Sequence, residues 1–145
     1  LISRSGIHAI RALTCLASLE DGAYAGSANI AGRIGAPANY LGKLLQTLTR
    51  RGIVESRKGT GGGFRLARAP ERITLLDAID PIDPLARWEG CFLGPGGCSD
   101  DNPCAVHREW ILLRERYLKL LSKTSIADVV RRPPRLPSDL PGHQG

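Results

Sequence analysis

Cys91, Cys98, Cys104 and His107 fall within seventeen residues, in the spacing Cys-x6-Cys-x5-Cys-x2-His. Thiolate and imidazole are soft or borderline donors. Four of them in so short a stretch, with Gly94, Gly96 and Gly97 between, point to a metal ion or an iron–sulfur cluster. Spacing alone serves the two equally: thiolate is the usual iron–sulfur ligand, and three cysteines with one histidine are also a common structural zinc set. Nothing in the chain indicates secretion, so metal or redox chemistry is favoured over two disulfides. The fourth cysteine, Cys15, sits in an apolar helical pattern and reads as a buried structural thiol. His8, His107 and His143 have no convincing Ser or Asp partners, so no enzyme is expected. A chain of this kind without a membrane span is an electron carrier or a sensor, and the elements ahead of the cysteines decide between these.

Those elements predict a mainly α fold with a small β-hairpin wing. Residues 5–19 have helical spacing at Ile7, Ile10, Leu13 and Leu16. Ser27 is a candidate N-cap for a short second helix that Gly35 ends. Pro37 fits the first turn of a third helix running to Arg51, with Leu41, Leu44, Leu45 and Leu48 on its apolar face and Gly52 closing it. Two short helices joined by a Gly-containing turn make a helix-turn-helix, whose second helix enters the major groove by its N-terminal end. Ala38, Asn39, Tyr40 and Lys43 are exposed there: Asn39 suits a base edge, Tyr40 a phosphate or thymine methyl, Lys43 a phosphate. Residues 53–57 and 64–66 are strand-like around Lys58-Gly59-Thr60-Gly61-Gly62-Gly63, a glycine-rich basic tip. Arg57, Lys58 and Arg65 would hold a duplex backbone along this wing, with Gly59, Thr60 and Gly61 brought close to it. A phosphate-binding loop is the rival, but no helix and no GK[ST] ending follow the glycines.

Charge follows the same division. Residues 1–72 carry eleven Lys/Arg against four Asp/Glu, whereas residues 73–130 carry six against nine. A basic front half suits a polyanion partner.

With these pieces the chain resembles the bacterial winged-helix regulators that include IscR, NsrR and RirA. The resemblance rests on Gly6-Ile7-His8-Ala9-Ile10-Arg11-Ala12-Leu13, Asn39-Tyr40-Leu41, Leu44-Leu45, and Arg51-Gly52-Ile53-Val54. Gly59-Thr60-Gly61-Gly62-Gly63-Phe64-Arg65-Leu66, Ile73-Thr74-Leu75-Leu76-Asp77-Ala78-Ile79 and the cysteine cluster complete it, so that it covers about residues 3–130. It implies a cytoplasmic homodimer that binds palindromic promoter DNA according to the state of an iron–sulfur cluster, [2Fe-2S] ahead of [4Fe-4S]. It also implies Cys91, Cys98 and Cys104 as ligands, with His107 where IscR-like members place a histidine. Some relatives take a carboxylate from the partner's first helix; the matching position here is Ile7, which cannot ligate.

The back half is expected to serve that assembly. Thr74 with Asp77 forms a capping box for a helix around 75–80. Asn102-Pro103 reads as the start of a long helix from Cys104 to about Leu121, with Val106, Trp110, Leu113, Tyr117 and Leu120 as a heptad seam that serves a dimer or packs on its own domain; Leu112 and Leu121 widen the apolar face, which suits a helix that contacts both. Ser125 with Asp128 caps a last short helix. The resulting division is a winged helix-turn-helix over 1–80, a cluster loop over 81–103, a dimerisation and C-terminal helical part over 104–130, and a disordered proline-rich tail over 131–145. The alternatives are a zinc-stapled repressor, a metal-free thiol switch at the same cysteines, and an iron–sulfur electron carrier.

Overall fold

The structure is a computed structural model and describes residues 2–85, 89–94 and 98–135. Gly96, Gly97, His143 and the tail from residue 136 onward lie outside the described residues. Six helices and one hairpin follow in chain order: α1 (Arg4–Ala17), α2 (Ser27–Ile34), α3 (Ala38–Arg50), β1 (Val54–Arg57), β2 (Gly63–Leu66), α4 (Leu75–Ile79), α5 (His107–Lys123) and α6 (Ile126–Arg131). A 3-10 turn, Pro70–Arg72, precedes α4; no periodic pattern announced it.

The apolar spacing of the first three helices gives one shared core. Leu13, Ile30, Leu41, Leu45 and Leu48 are fully buried in it, together with Val54 and Ile73. Helix α1 is capped by Ser3, whose hydroxyl accepts from the Gly6 amide at 3.0 Å. Helix α2 differs from expectation at its start, for Gly26 occupies the N-cap and Ser27 is already helical. Pro37 likewise stands just before α3 rather than within it, because its backbone is extended at ψ 132°. Gly35 and Gly52 end α2 and α3 in the left-handed region, at φ 70° and 72°, where glycine carries no Cβ penalty.

Strands β1 and β2 pair antiparallel, Val54 opposite Leu66 and Arg57 opposite Gly63. Ala25 adds a further bridge, exchanging two backbone hydrogen bonds of 2.9 and 2.8 Å with Phe64. A Cβ on Gly63 (φ 130°) would lie 2.4 Å from the Ala25 carbonyl oxygen, and one on Gly62 only 2.2 Å from that of Arg57. These two glycines are therefore required by packing within the chain. Gly59 and Gly61 have positive φ and open space around them, and they belong to the exposed tip.

Both capping boxes form: Thr74 with Asp77 on α4, and Ser125 with Asp128 on α6. The two caps also bridge each other. The Leu75 amide donates to the Thr124 carbonyl at 2.9 Å, and the Ile126 amide to the Ile73 carbonyl at 2.8 Å. Helix α6 is thereby laid against α1, and Ile126 enters the main core with no exposure.

Helix α5 turns part of its apolar stripe onto its own domain. Tyr117 (9% exposed) and Leu121 (0%) form a small second core with Ile79, fringed by Leu75, Leu76 and Leu85. Leu112, Leu113 and Leu120 remain 49%, 51% and 57% exposed. Leu113, Tyr117 and Leu120 follow at i, i+4 and i+7 and share one stripe, which the domain covers at Tyr117 and Leu121 and leaves open at Leu113 and Leu120.

Candidate metal centre and nucleic-acid interface

The cysteine segment is held against the first turns of α5. The Trp110 indole donates to the Gly90 carbonyl at 2.8 Å, Arg114 to the Glu89 carbonyl at 3.1 Å, and the Phe92 ring leans on Trp110 at 5.4 Å between centroids. Within this frame the sulfurs of Cys91, Cys98 and Cys104 all lie within 4.8 Å of one another. Cys91 and Cys104 are 3.5 Å apart. The Leu93 amide donates to the Cys91 sulfur at 3.4 Å and the Cys104 amide to the Cys98 sulfur at 3.3 Å.

Helix α5 begins at His107, with Val106 as an N-cap that makes no side-chain bond, so Cys104 precedes the helix and Asn102 does not cap it. The reason is local. Asn102 closes a four-residue turn onto Ser99, and the Cys104 amide is spent on a sulfur rather than on a helical start. The Val106 amide acts in the same way and is the main cause that holds the Cys104 thiol below its ordinary value, followed by the Cys91 sulfur. At Cys98 the Cys104 amide pulls downward, but desolvation and the neighbouring Cys104 and Cys91 sulfurs together push the thiol up. Amide N–H groups aimed at sulfur are what a cluster of thiolates needs for charge stabilisation.

His107 stands at one edge of the triad, its Nδ1 3.0 Å from the Cys98 sulfur. Its Nε2 is 2.9 Å from a carboxylate oxygen of Asp100. Three sulfurs converge beside a cavity of about 360 Å³ and fit a thiolate-bound metal or cluster; His107 is near this group through Cys98 but is not within 4.8 Å of all three sulfurs. Cys15 is half-buried in α1 at the border of the main core and remote in the fold from this group.

The expected reading head is divided. Ala38, Asn39 and Lys43 are exposed on α3, and Tyr40 is half-buried. The ring of Tyr40 meets His8 edge-on at 5.7 Å, and among the described residues the Tyr40 hydroxyl and the His8 Nδ1 are buried without a hydrogen-bond partner. They border a cavity of about 600 Å³ that also receives Arg4 and Arg11 from α1. Burial, and then the Arg11 and Arg4 charges, hold His8 below its ordinary value. This cationic hollow beside the start of α3 escaped the sequence reading. Its signal was the α1 spacing of Arg4, His8 and Arg11, one helical stripe.

On the wing, Arg57, Lys58, Gly59, Thr60 and Gly61 are exposed. Arg65 is not free in the same way. It pairs with Glu55 directly across the hairpin and its guanidinium lies 4.6 Å over the Tyr24 ring, while Arg57 lies 5.8 Å over the same ring. The register of the two strands, invisible in the linear sequence, produces that pairing.

A family model described as the iron-dependent transcriptional regulator Rrf2 matches residues 2–132. The chain belongs to the Rrf2 family. IscR of Xenorhabdus nematophila, described as an HTH-type transcriptional regulator, is 29% identical over 130 residues, 90% of this chain and 79% of that protein. An HTH-type regulator sequence of Aquifex aeolicus is 38% identical over 96 residues, 65% of this chain and 67% of its own length. Among solved structures, CymR of B. subtilis, the global cysteine regulator of that organism, superposes with a TM-score of 0.76 at 24% identity, covering 92% and 98% of the two chains. IscR of T. potens superposes at 0.72, also at 24% identity, covering 90% and 86%. These likenesses give this Rrf2 chain a winged-helix fold and make it a transcriptional regulator rather than an enzyme. No helix among its described residues is long and apolar enough to cross a membrane.

Proposed function

We propose that the protein is a cytoplasmic homodimeric regulator whose hold on promoter DNA is set by an iron–sulfur cluster bound through Cys91, Cys98, Cys104 and His107. The convergence of three sulfurs within 4.8 Å on a loop tied to α5 carries this reading. A cluster there supplies a redox- or nitric-oxide-sensitive charge; everything else falls to the chain itself. Glu89, Gly90 and Phe92 are tied to α5 through Arg114 and Trp110, and α5 is tied to the winged-helix body by Tyr117 and Leu121. A change in the loop therefore reaches the tilt of α5.

The exposed face of α5, with Leu113 and Leu120 one heptad apart, suits a second copy of the chain. Two-fold symmetry would set two α3 helices one DNA turn apart on a palindromic site. Asn39 and Lys43 would enter the groove. The Arg4, His8, Arg11 and Tyr40 hollow and the wing residues Arg57, Lys58, Gly59, Thr60 and Gly61 would hold the flanking phosphates, with Arg65 bracing the wing. The signal acts only through the different DNA affinities of the two states, and a coupling of about 1–3 kcal/mol is an ordinary magnitude.

Anaerobic purification followed by a visible absorption spectrum, with iron, acid-labile sulfide and zinc assays on one sample, tests the proposal. Brown protein with iron and sulfide supports it. Colourless protein with one zinc per chain replaces the sensor with a structural staple. Metal-free protein favours a thiol switch, for which Cys91 and Cys104, at 3.5 Å, are the pair in place.

A further inference from the structure

We propose that Asp100 is the positioning residue for His107, committing its Nε2 to a proton and its Nδ1 to the metal. This rests on the metal-centre reading given above and adds to it a residue and a choice of nitrogen.

The observations are geometric. Cys98 and Asp100 are two residues apart at the head of one tight turn, in which the Asn102 amide donates to the Ser99 carbonyl at 3.0 Å and also approaches the Ser99 hydroxyl at 3.3 Å. The Cys98 sulfur and the Asp100 carboxylate thus grip opposite nitrogens of a single imidazole, at 3.0 and 2.9 Å. The backbone of His107 is fixed independently, its amide donating to the Cys104 carbonyl at 3.1 Å.

A neutral imidazole has one donor nitrogen and one acceptor, and an ionised carboxylate only accepts. The nitrogen facing Asp100 must therefore carry the hydrogen, which leaves the lone pair on Nδ1, the nitrogen that faces the Cys98 sulfur. Outer partners of this kind fix the orientation and tautomer of a metal-binding histidine and raise its basicity. The carboxylate itself is 93% exposed while the imidazole is 15% exposed, so Asp100 stands on the solvent side of the ring that it holds. Asp101 is its built-in control: it has the same charge on the same exposed turn, with no hydrogen bond to the ring among the described residues.

The test uses the full chain and cobalt(II), whose visible bands report sulfur and nitrogen ligation. Wild type, Asp100→Ala, Asp100→Asn, Asp101→Ala and His107→Ala are titrated in parallel. The zinc-loaded, 15N-labelled wild type is then examined for which His107 nitrogen bears hydrogen, assigned against His107→Ala. Asp100→Ala should lower cobalt affinity about 10–100-fold. Asp100→Asn, which keeps an acceptor oxygen, should recover part of that loss, Asp101→Ala should match wild type, and His107 should show hydrogen on Nε2. Asp100→Ala binding like Asp101→Ala, or a His107 metallated through Nε2, would overturn the positioning role while leaving the metal centre intact. Wild type that takes up no cobalt, or His107→Ala that binds as wild type does, would overturn the ligand assignment and this proposal with it.

Discussion

At the residue scale, the chemistry was legible wherever adjacency in sequence survives folding. The three cysteines are near neighbours in the chain and converge in space. Cys98→Ala should remove the visible absorption and bound metal while leaving the far-ultraviolet circular dichroism unchanged; an unaltered visible spectrum would sink the assignment. Partners chosen by a turn or a register were not legible. Asp100 reaches His107 only because residues 99–102 fold back, and Glu55 reaches Arg65 only through the pairing of β1 with β2. The glycine run of the wing teaches the same distinction. Gly61 is open while Gly63 is pressed on the Ala25 carbonyl, so Gly63→Ala should be the more destabilising change. Urea melts should place Gly61→Ala about 1–2 kcal/mol below wild type for its left-handed backbone, and Gly63→Ala lower still because a clash is added.

At the scale of elements, the capping boxes were legible in full and the apolar stripe of α5 only as a stripe. Both Thr74/Asp77 and Ser125/Asp128 boxes could be predicted because each needs only a Ser or Thr and an acid three residues on. The second box has a measurable consequence. The Ser125 backbone amide, then its hydroxyl, hold Asp128 below the usual carboxylate range. The stability that this provides is fully present above the ordinary carboxylate pKa and is lost as pH falls through the depressed one. Comparing Asp128→Asn with wild type, the difference in melting temperature should shrink on acidification; a constant difference would deny Asp128 that role. The apolar stripe of α5 reads as serving its own domain and a partner alike, but a spacing of 4, 3, 4, 3 says only which residues are apolar, not how far the domain covers each one. Tyr117 goes to the domain and Leu113 to solvent. Leu113→Glu with Leu120→Glu should yield a folded monomer by analytical ultracentrifugation at concentrations where wild type is a dimer. A double variant that stays dimeric would move the interface elsewhere.

For the whole molecule, the basic front half and acidic back half are a matter of composition and needed no coordinates. DNA affinity should fall steeply with salt, because each phosphate neutralised releases counterion and adds about 0.9 to the slope of log affinity against log salt. Lys43→Ala should weaken binding and reduce that slope by about one; unchanged binding in fluorescence anisotropy would exclude Lys43 from the interface. The mutual position of the two halves was not legible, since it depends on a contact between distant parts of the chain that no periodicity encodes.

That contact, Ile126 filling the winged-helix core and its amide tied to Ile73, bears on how the protein is made. A nascent chain that has delivered only the first eighty residues lacks a piece of the core on which its three leading helices close. The core on which α1, α2 and α3 close is completed only after the cysteine segment and α5 have been synthesised. A truncation ending before α6 would leave that core without Ile126, and a polypeptide cut short in translation would lack both the cysteine segment and a finished core.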